Sequence, residues 1–539
     1  MHFQKLQHIH EIPGYFYYFA IFCLVSLSLI LSGYAAIVTN DDWMLFNLLR
    51  DTDTYGTLVM SYPLSYVLTQ LYRISPSFPW YSLLLSALLL FYTYLMSHYI
   101  YWAQNKLQKV LLFIASMLLI VFFWLHMTIT ALSILTMTIS LGFAKKHFRY
   151  ALVFLFVAFM LRADLVAMFV PFWIIGVLIL RNPLHFLRQD YYAILIFFVL
   201  IGASFFVEKL DQDYTTWKSF NQARAVTSDM HILDPSNVLT KEQKFLMISE
   251  WLQDDILLPT QKVIKANANP KVEILTRLSS FDYINFFHYR LAAWFYLLIG
   301  VSLFLMFFYR KNWRIVLIPI FITGIMLLIV MRDVDRVTIP LFLMWAFIII
   351  ESLKKHRLVN TLFLSLFVLI FLYYSSASMQ YRYFKENTAL KREAQALIDK
   401  TGVVCEISMG FPTQFSAELI SLMQVNYLFH ENDWLHMNQN EILPNSWISR
   451  HPFFYKTHQI NFNGIKRKFD NYYKFLLDDH TGFLGSRYLQ ESQGAAYLLY
   501  LYDKEYLKDR PTCKHVIALV AVSENFSISQ IRIDCKGYR

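Results

Sequence analysis

Through most of the first 375 residues, apolar positions neither alternate nor recur at helical spacing. They run on repeatedly for about 17–20 residues at a time, the length that carries a helix across a bilayer core. Candidate spans fall at residues 15–38, 80–101, 110–125, 128–144, 150–161, 165–180, 191–207, 291–308, 315–331, 337–350 and 358–374, about eleven in all. Two longer apolar stretches, 109–145 and 149–181, need the charges to divide them. Short basic clusters at Lys106/Lys109, Lys145/Lys146/Arg149 and Arg181/Arg188 all belong on the cytoplasmic side by the positive-inside rule. An even number of crossings therefore separates each cluster from the next, and each stretch reads as a hairpin. One turns near His126, the other at Arg162-Ala163-Asp164. The loops with Arg310/Lys311/Arg314 and Lys354/Lys355/Arg357 fall on the same side, which puts the N-terminus inside and the C-terminal segment outside. Lys5 is the lone lysine or arginine before the first span and no cleavage site follows, so that span reads as a retained anchor, not a signal peptide.

Three polar stretches interrupt this pattern, all on the outer side by the same count. The loop 39–79 holds two amphipathic pieces, 42–50 and 64–74, whose spacing predicts helices lying on the membrane surface. The loop 208–290 is polar and helical in pattern. From residue 375 a charged helical stalk, 380–400, stops at Gly402, and a soluble domain follows over 401–539. Residues 403–407, 497–502, 516–522 and 528–533 have strand character with helical stretches between them, which predicts an α/β domain. The expected fold is an α-helical polytopic membrane module over 1–374 with a C-terminal extracytoplasmic α/β domain.

Composition agrees. The hydrophobic share is 57% and the charged share 16%, with a mean hydropathy of +0.40; a soluble domain carries about 25% charged residues. A cytosolic enzyme, a disordered chain and a secreted disulfide scaffold are excluded. The net charge of +10 suggests nucleic acid at first sight, but much of it sits in the short loops that set topology.

The polar residues at the outer ends of the spans carry more information. Asn40-Asp41-Asp42 ends span one, His126 turns one hairpin, and Arg162 and Asp164 turn the other. Glu208 follows span seven, and Arg332-Asp333-Val334-Asp335-Arg336 follows span nine. Each has a plain reading alone: the acids as helix caps, the arginines paired with neighbouring aspartates, His126 as an interfacial turn. Together they place ionisable groups of both signs at one membrane face, where such groups mark a functional cavity. Transfer of a sugar from a lipid-linked phosphate needs this set. Arginine holds the departing phosphate, a carboxylate serves as base for the attacking hydroxyl, and apolar helices line a groove for the lipid.

The acidic pair after the first span, followed by an outer loop with surface helices, resembles the GT-C superfamily of polytopic glycosyltransferases. Asn40-Asp41-Asp42-Trp43-Met44, Tyr62-Pro63 and Pro79-Trp80-Tyr81 are similar to a group of bacterial membrane proteins associated with surface-polysaccharide clusters. Phe220-Asn221-x-x-Arg224, Asp229, Trp251 and Asp254 are similar to the large outer loop of that group. The resemblance covers about residues 15–375. It implies a bacterial inner-membrane enzyme, a polyprenyl-phosphate-sugar donor, a glycan, lipid or protein acceptor, and Asp41 or Asp42 as the base. Which of the two acids serves, the spacing leaves open.

Other classes compete. An O-antigen-type polymerase or ligase would rest on Arg162, Arg224, Arg332 and Arg336. A lipid-linked glycan transporter or flippase would hold its charges nearer mid-membrane, and a non-enzymatic assembly partner would need neither set. No nucleotide-cradling glycine loop and no zinc spacing occurs. Asp41 and Asp42 are suited to Mg²⁺ or Mn²⁺, since hard cations take carboxylate oxygens.

Of four cysteines, Cys405, Cys513 and Cys535 fall in the outer tail. Cys513 precedes one strand, Cys535 follows the next, and Ser523-Glu524-Asn525 between them is a short polar turn. An antiparallel fold about Glu524 sets the two cysteines opposite each other, so a Cys513–Cys535 bridge is expected with Cys405 free and buried. The alternative is three reduced thiols, because a one-residue bulge would shift the register.

Overall fold

The computed structural model describes residues 14–32, 35, 40–51, 56–103, 105–125, 127–144, 147–180, 190–228, 238–248, 252, 254–266, 335–352, parts of 361–369, 381–407, 442–443, 459–462, 465–486 and 493–535. This part is mostly helical and ends in a small sheet. The helices up to the expected second outer loop are α1 (Tyr15–Leu31), α2 (Asn40–Asp51), α3 (Tyr62–Ile74), α4 (Trp80–Tyr101), α5 (Lys106–Leu125), α6 (Ile129–Ala144), α7 (Phe148–Leu161), α8 (Ala163–Leu180) and α9 (Tyr191–Leu210). Next come α10 (Gln212–Ser228), α11 (Lys241–Ile248), α12 (Thr260–Ala266) and α13 (Asp335–Ser352). Three of them, α4, α5 and α9, are long and apolar enough to cross a membrane, while α1, α6, α7 and α8 are apolar but shorter. The candidate spans 291–308 and 315–331, and most of 358–374, lie outside the described residues.

The centre of the bundle is α6. All but Ile139, Gly142 and Phe143 of its residues are buried, and it packs on α7, α8, α13 and α4. Its sequence explains this. Small hydroxyl residues among the aliphatics let neighbouring helices approach and find acceptors on their backbones. Ser133 Oγ donates to Ala158 O at 2.9 Å, and Ser140 Oγ donates to Ala151 O at 2.6 Å while accepting from Trp173 Nε1 at 3.1 Å. Among the described residues α5 packs mainly on α1 and α4, not along α6, so the first expected hairpin splays. By contrast α9 exposes most of its apolar surface, including Tyr192, Phe198, Val199 and Leu210, each above 60%. A helix apolar all round belongs in a core or in lipid, and α9 is not in a core.

Contacts define one end of the bundle. Tyr15 stacks on His98 at 4.1 Å, Lys109 lies over Tyr101 at 5.4 Å, Tyr99 donates to Glu351 at 2.5 Å, and Arg149 pairs with Asp190 at 3.1 Å. Lys109 and Arg149, from two of the basic clusters, thus share this end.

The C-terminal part begins with α14 (Tyr381–Thr401), which stops at Gly402 in the left-handed region, φ 65°, with its amide on Ile398 O at 2.9 Å. The strands are β1 (Val404–Ile407), β2 (Ile442–Leu443), β3 (Gln459–Phe462), β4 (Ile465–Lys468), β5 (Thr481–Ser486), β6 (Cys513–Val522) and β7 (Phe526–Cys535). Two further helices are α15 (Tyr472–Leu476) and α16 (Gln493–Tyr506). Five strands form a sheet in the order β2-β1-β5-β7-β6, parallel across β2-β1-β5 and antiparallel beyond. Residues 497–502, expected as a strand, are part of α16. Their apolar-aromatic run suits either structure, but Leu498, Leu501 and Tyr502 are buried at helical spacing and Tyr500 is exposed.

The last hairpin is set by two features acting together. Ser523 N donates to Phe526 O at 2.8 Å, so only Glu524 and Asn525 form the turn. Extended without interruption, that two-residue turn would place Cys513 opposite Lys536. A bulge between Leu519 and Ala521 takes up the odd residue and restores the pairing Cys513↔Cys535. The two cysteines are joined by a disulfide, with Cα atoms 3.9 Å apart. Cys405 is free and fully buried in β1, where burial pushes its thiol far above the ordinary range.

Candidate functional site at the loop end of the bundle

At the end opposite Lys109 and Arg149, three segments far apart in sequence meet. The first loop reaches the α7–α8 turn: Ser61 N donates to Met160 O at 3.0 Å. It also reaches the segment after α9, where the Tyr62 hydroxyl donates to Asp211 Oδ2 at 3.1 Å and the Tyr214 hydroxyl donates to Thr57 O at 2.9 Å. Local sequence prepares each part. Pro63 opens α3 in its first turn. Asp211 caps α10 by accepting the Tyr214 amide at 2.9 Å. Gly56 leaves the space that the Tyr214 ring fills, since a Cβ there would lie 2.1 Å from Tyr214 Cδ2.

The charges sit around this junction. Arg162 ends α7 with its side chain 16% exposed; Nε faces Asp164 Oδ1 at 3.3 Å and Nη1 bonds Thr130 Oγ1 at the start of α6. Asp164 is 55% exposed. Lys218 Nζ lies 2.5 Å from Glu208 Oε1 and within 5.9 Å of the Phe205 and Tyr214 rings. Burial first, then the negative charges of Glu208, Asp164 and Asp211, hold the Tyr214 hydroxyl well above its usual range. Two cations, three carboxylates and two phenols thus meet where apolar helices end.

Among the residues expected from sequence, Arg162, Asp164 and Glu208 are brought together here. Asp41 and Asp42 lie in the first turn of α2, and Asp335 and Arg336 open α13; the side chains of all four lie outside the described atoms. Helix α2 packs on α3, with Phe46 edge-on to Tyr72 at 5.9 Å, so the acidic pair belongs to the loop that reaches the end of α7 through Ser61 and Met160. His126, Arg332 and Asp333 lie outside the described residues. Arg224 stands apart. It is buried within α10, its Nε donates to Asn221 Oδ1 at 3.1 Å, and ten residues of helix, about 15 Å, separate it from Tyr214. Asp254 belongs to a different contact, described below. Tyr62 enters from the sequence only within the Tyr62-Pro63 resemblance, and sequence reasoning missed Asp211, Tyr214 and Lys218. The polar run directly after span seven was their one signal, and it looked like an ordinary helix exit.

Among the described residues no group of three or more His, Cys, Asp or Glu side chains is placed to hold a metal ion. No family model, curated protein or solved structure matches this chain.

Proposed function

We propose that the chain is a membrane glycosyltransferase of the GT-C kind. It moves a sugar from a polyprenyl-phosphate carrier to a glycan, lipid or protein acceptor at the membrane face that carries Arg162 and Asp164. The reading is carried by one observation: the loop bearing Asp41 and Asp42 packs on the α7–α8 turn, bringing carboxylates and cations to one end of an apolar bundle. In this reading Asp41 or Asp42 takes the proton of the attacking hydroxyl. Arg162 and Lys218, with Arg332 and Arg336 beyond the described side chains, neutralise the leaving phosphate. Exposed apolar surface such as that of α9 accommodates the lipid. The proposed topology has about eleven spans, a cytoplasmic N-terminus and the C-terminal domain outside.

Transfer from a radiolabelled polyprenyl-phosphate sugar in membrane vesicles tests it. Asp41→Asn and Asp42→Asn should both express normally, and at least one should abolish transfer. Near-normal activity in both variants would sink the assignment. Loss confined to Arg162→Gln and Arg336→Gln would favour a polymerase or ligase acting on lipid-linked oligosaccharide.

A further inference from the structure

Away from the bundle, five side chains form one unbroken chain. Asp254, in the turn before α12, uses Oδ1 to accept the amides of Ile256 and Leu257 at 3.0 and 3.2 Å. Its Oδ2 accepts the Tyr506 hydroxyl at 2.6 Å. Tyr506 closes α16, and its ring stacks on Tyr473 of α15 with centroids 3.7 Å apart and 5° between planes. The Tyr473 hydroxyl lies 2.9 Å from His515 Nε2 in β6, and His515 Nδ1 lies 2.8 Å from Asp503 Oδ1 in α16. That oxygen also accepts the His515 amide at 2.6 Å. The His515 side chain is completely buried. Beside the chain, Phe245 of α11 meets Tyr497 edge-on at 4.6 Å, and Lys504 faces Glu242 at 3.7 Å.

The protons can be placed. With Asp503 ionised, Nδ1 carries the imidazole proton and Nε2 is left to accept from Tyr473. Both ring nitrogens are then satisfied. A second proton on Nε2 meets the Tyr473 O–H head on, and the phenol proton must swing away. Several groups face the ring. Asp503 of α16 favours the imidazolium, and the positive charge of Arg510 acts on Tyr473. Tyr502 lies 5.7 Å from the ring, Tyr506 stands between Tyr473 and Asp254, and the residue opposite on β7 is the apolar Ile533. Burial outweighs Asp503 and holds His515 below its ordinary value, with neutral imidazole as the resting form.

We infer that this chain is an acid-sensitive joint between the segment 241–266 and the C-terminal sheet. Neutral His515 holds Tyr473 in place, the stacked Tyr506 holds Asp254, and α11 lies against α16. Protonated His515 reverses its bond to Tyr473, whose hydroxyl proton must find another acceptor, and puts a charge into a fully enclosed site; that loosens the stack and lets the segment go. The coupling element is the tyrosine pair, which stacks the Tyr473–His515 half on the Tyr506–Asp254 half; α16, which carries both Asp503 and Tyr506, joins them as well.

Hydrogen–deuterium exchange on the full chain in detergent, at pH 7.5 and 5.5 and corrected for intrinsic rates, tests the joint without reference to sugar transfer. Protection of 254–258 and of α16 should fall several-fold, up to about tenfold, at pH 5.5 in the wild type. H515Q, which offers Tyr473 an acceptor that does not titrate, should show no such fall. Y506F, which leaves His515 intact, should expose 254–258 at pH 7.5 as far as acid does. Wild-type protection equal at the two pH values, an undiminished fall in H515Q, or full protection in Y506F would each overturn the proposal.

Discussion

Replacing both Cys513 and Cys535 by serine should loosen one defined piece of the fold. β5 covers β7 only over residues 526–529, so from Ile531 to Cys535 the β6–β7 pair is a ribbon without a third strand among the described residues. Two strands alone are marginal in water. The bridge spans 22 residues of sequence, and chain entropy for a loop of that length is worth about 3 kcal/mol. At 1.4 kcal/mol per decade, the open ribbon becomes roughly 100-fold more populated without it. Amide exchange in the full-length serine variant reads this directly. Residues 514–517 and 531–534 should exchange about 100-fold faster than in the wild type, while β1 and β5 stay as protected as before. His515 lies in the loosened ribbon, so its contact with Asp503 should fray with it. Exchange within roughly threefold of wild type at these positions would mean that α16, packed on β6, holds the ribbon instead, and the entropic reasoning would fail.

Gly56→Val should drive the Tyr214 ring off the first loop and break its bond to Thr57, lowering stability by about 1–3 kcal/mol; an unchanged thermal midpoint in detergent would contradict the tight approach seen there. Reporter fusions after Lys146, Arg310 and Lys400 should read inside, inside and outside; a cytoplasmic signal from the last would remove the proposed face of the active site. Because the folded pKa of His515 lies below its unfolded value, its protonation favours the unfolded state. Tail stability should be full above about pH 6.5 and decline as pH falls below it; a flat profile between pH 7.5 and 5 by chemical denaturation would contradict that sign.

How much of this was legible in the residues depends on the range of each interaction. Helices α1 and α4–α9 announce themselves as apolar runs, because burying backbone in an apolar medium leaves no partner but the chain itself. Gly402 ends the stalk helix since it alone among its neighbours tolerates a positive φ without strain. Glu524 and Asn525 mark the last turn by their polarity between two β-prone runs. All of these act within a few residues, so the linear order carries them.

Folding decided the rest. Residues 497–502 carry an apolar pattern that a strand and a helix would share, and burial of Leu498, Leu501 and Tyr502 on one face settles it as helix. The bulge at Val520 answers a mismatch between a two-residue turn and the position of two cysteines, a condition that exists only once the strands pair. The loop-end junction is the clearest case. Tyr62 and Asp211 stand 149 residues apart, Tyr214 and Thr57 157 apart, and Ser61 and Met160 are separated by four helices and most of a fifth. No local periodicity encodes such meetings. They follow from how α6 is buried along most of its surface, which sets where α7, α8 and α13 stand and therefore where the loops between helices come together.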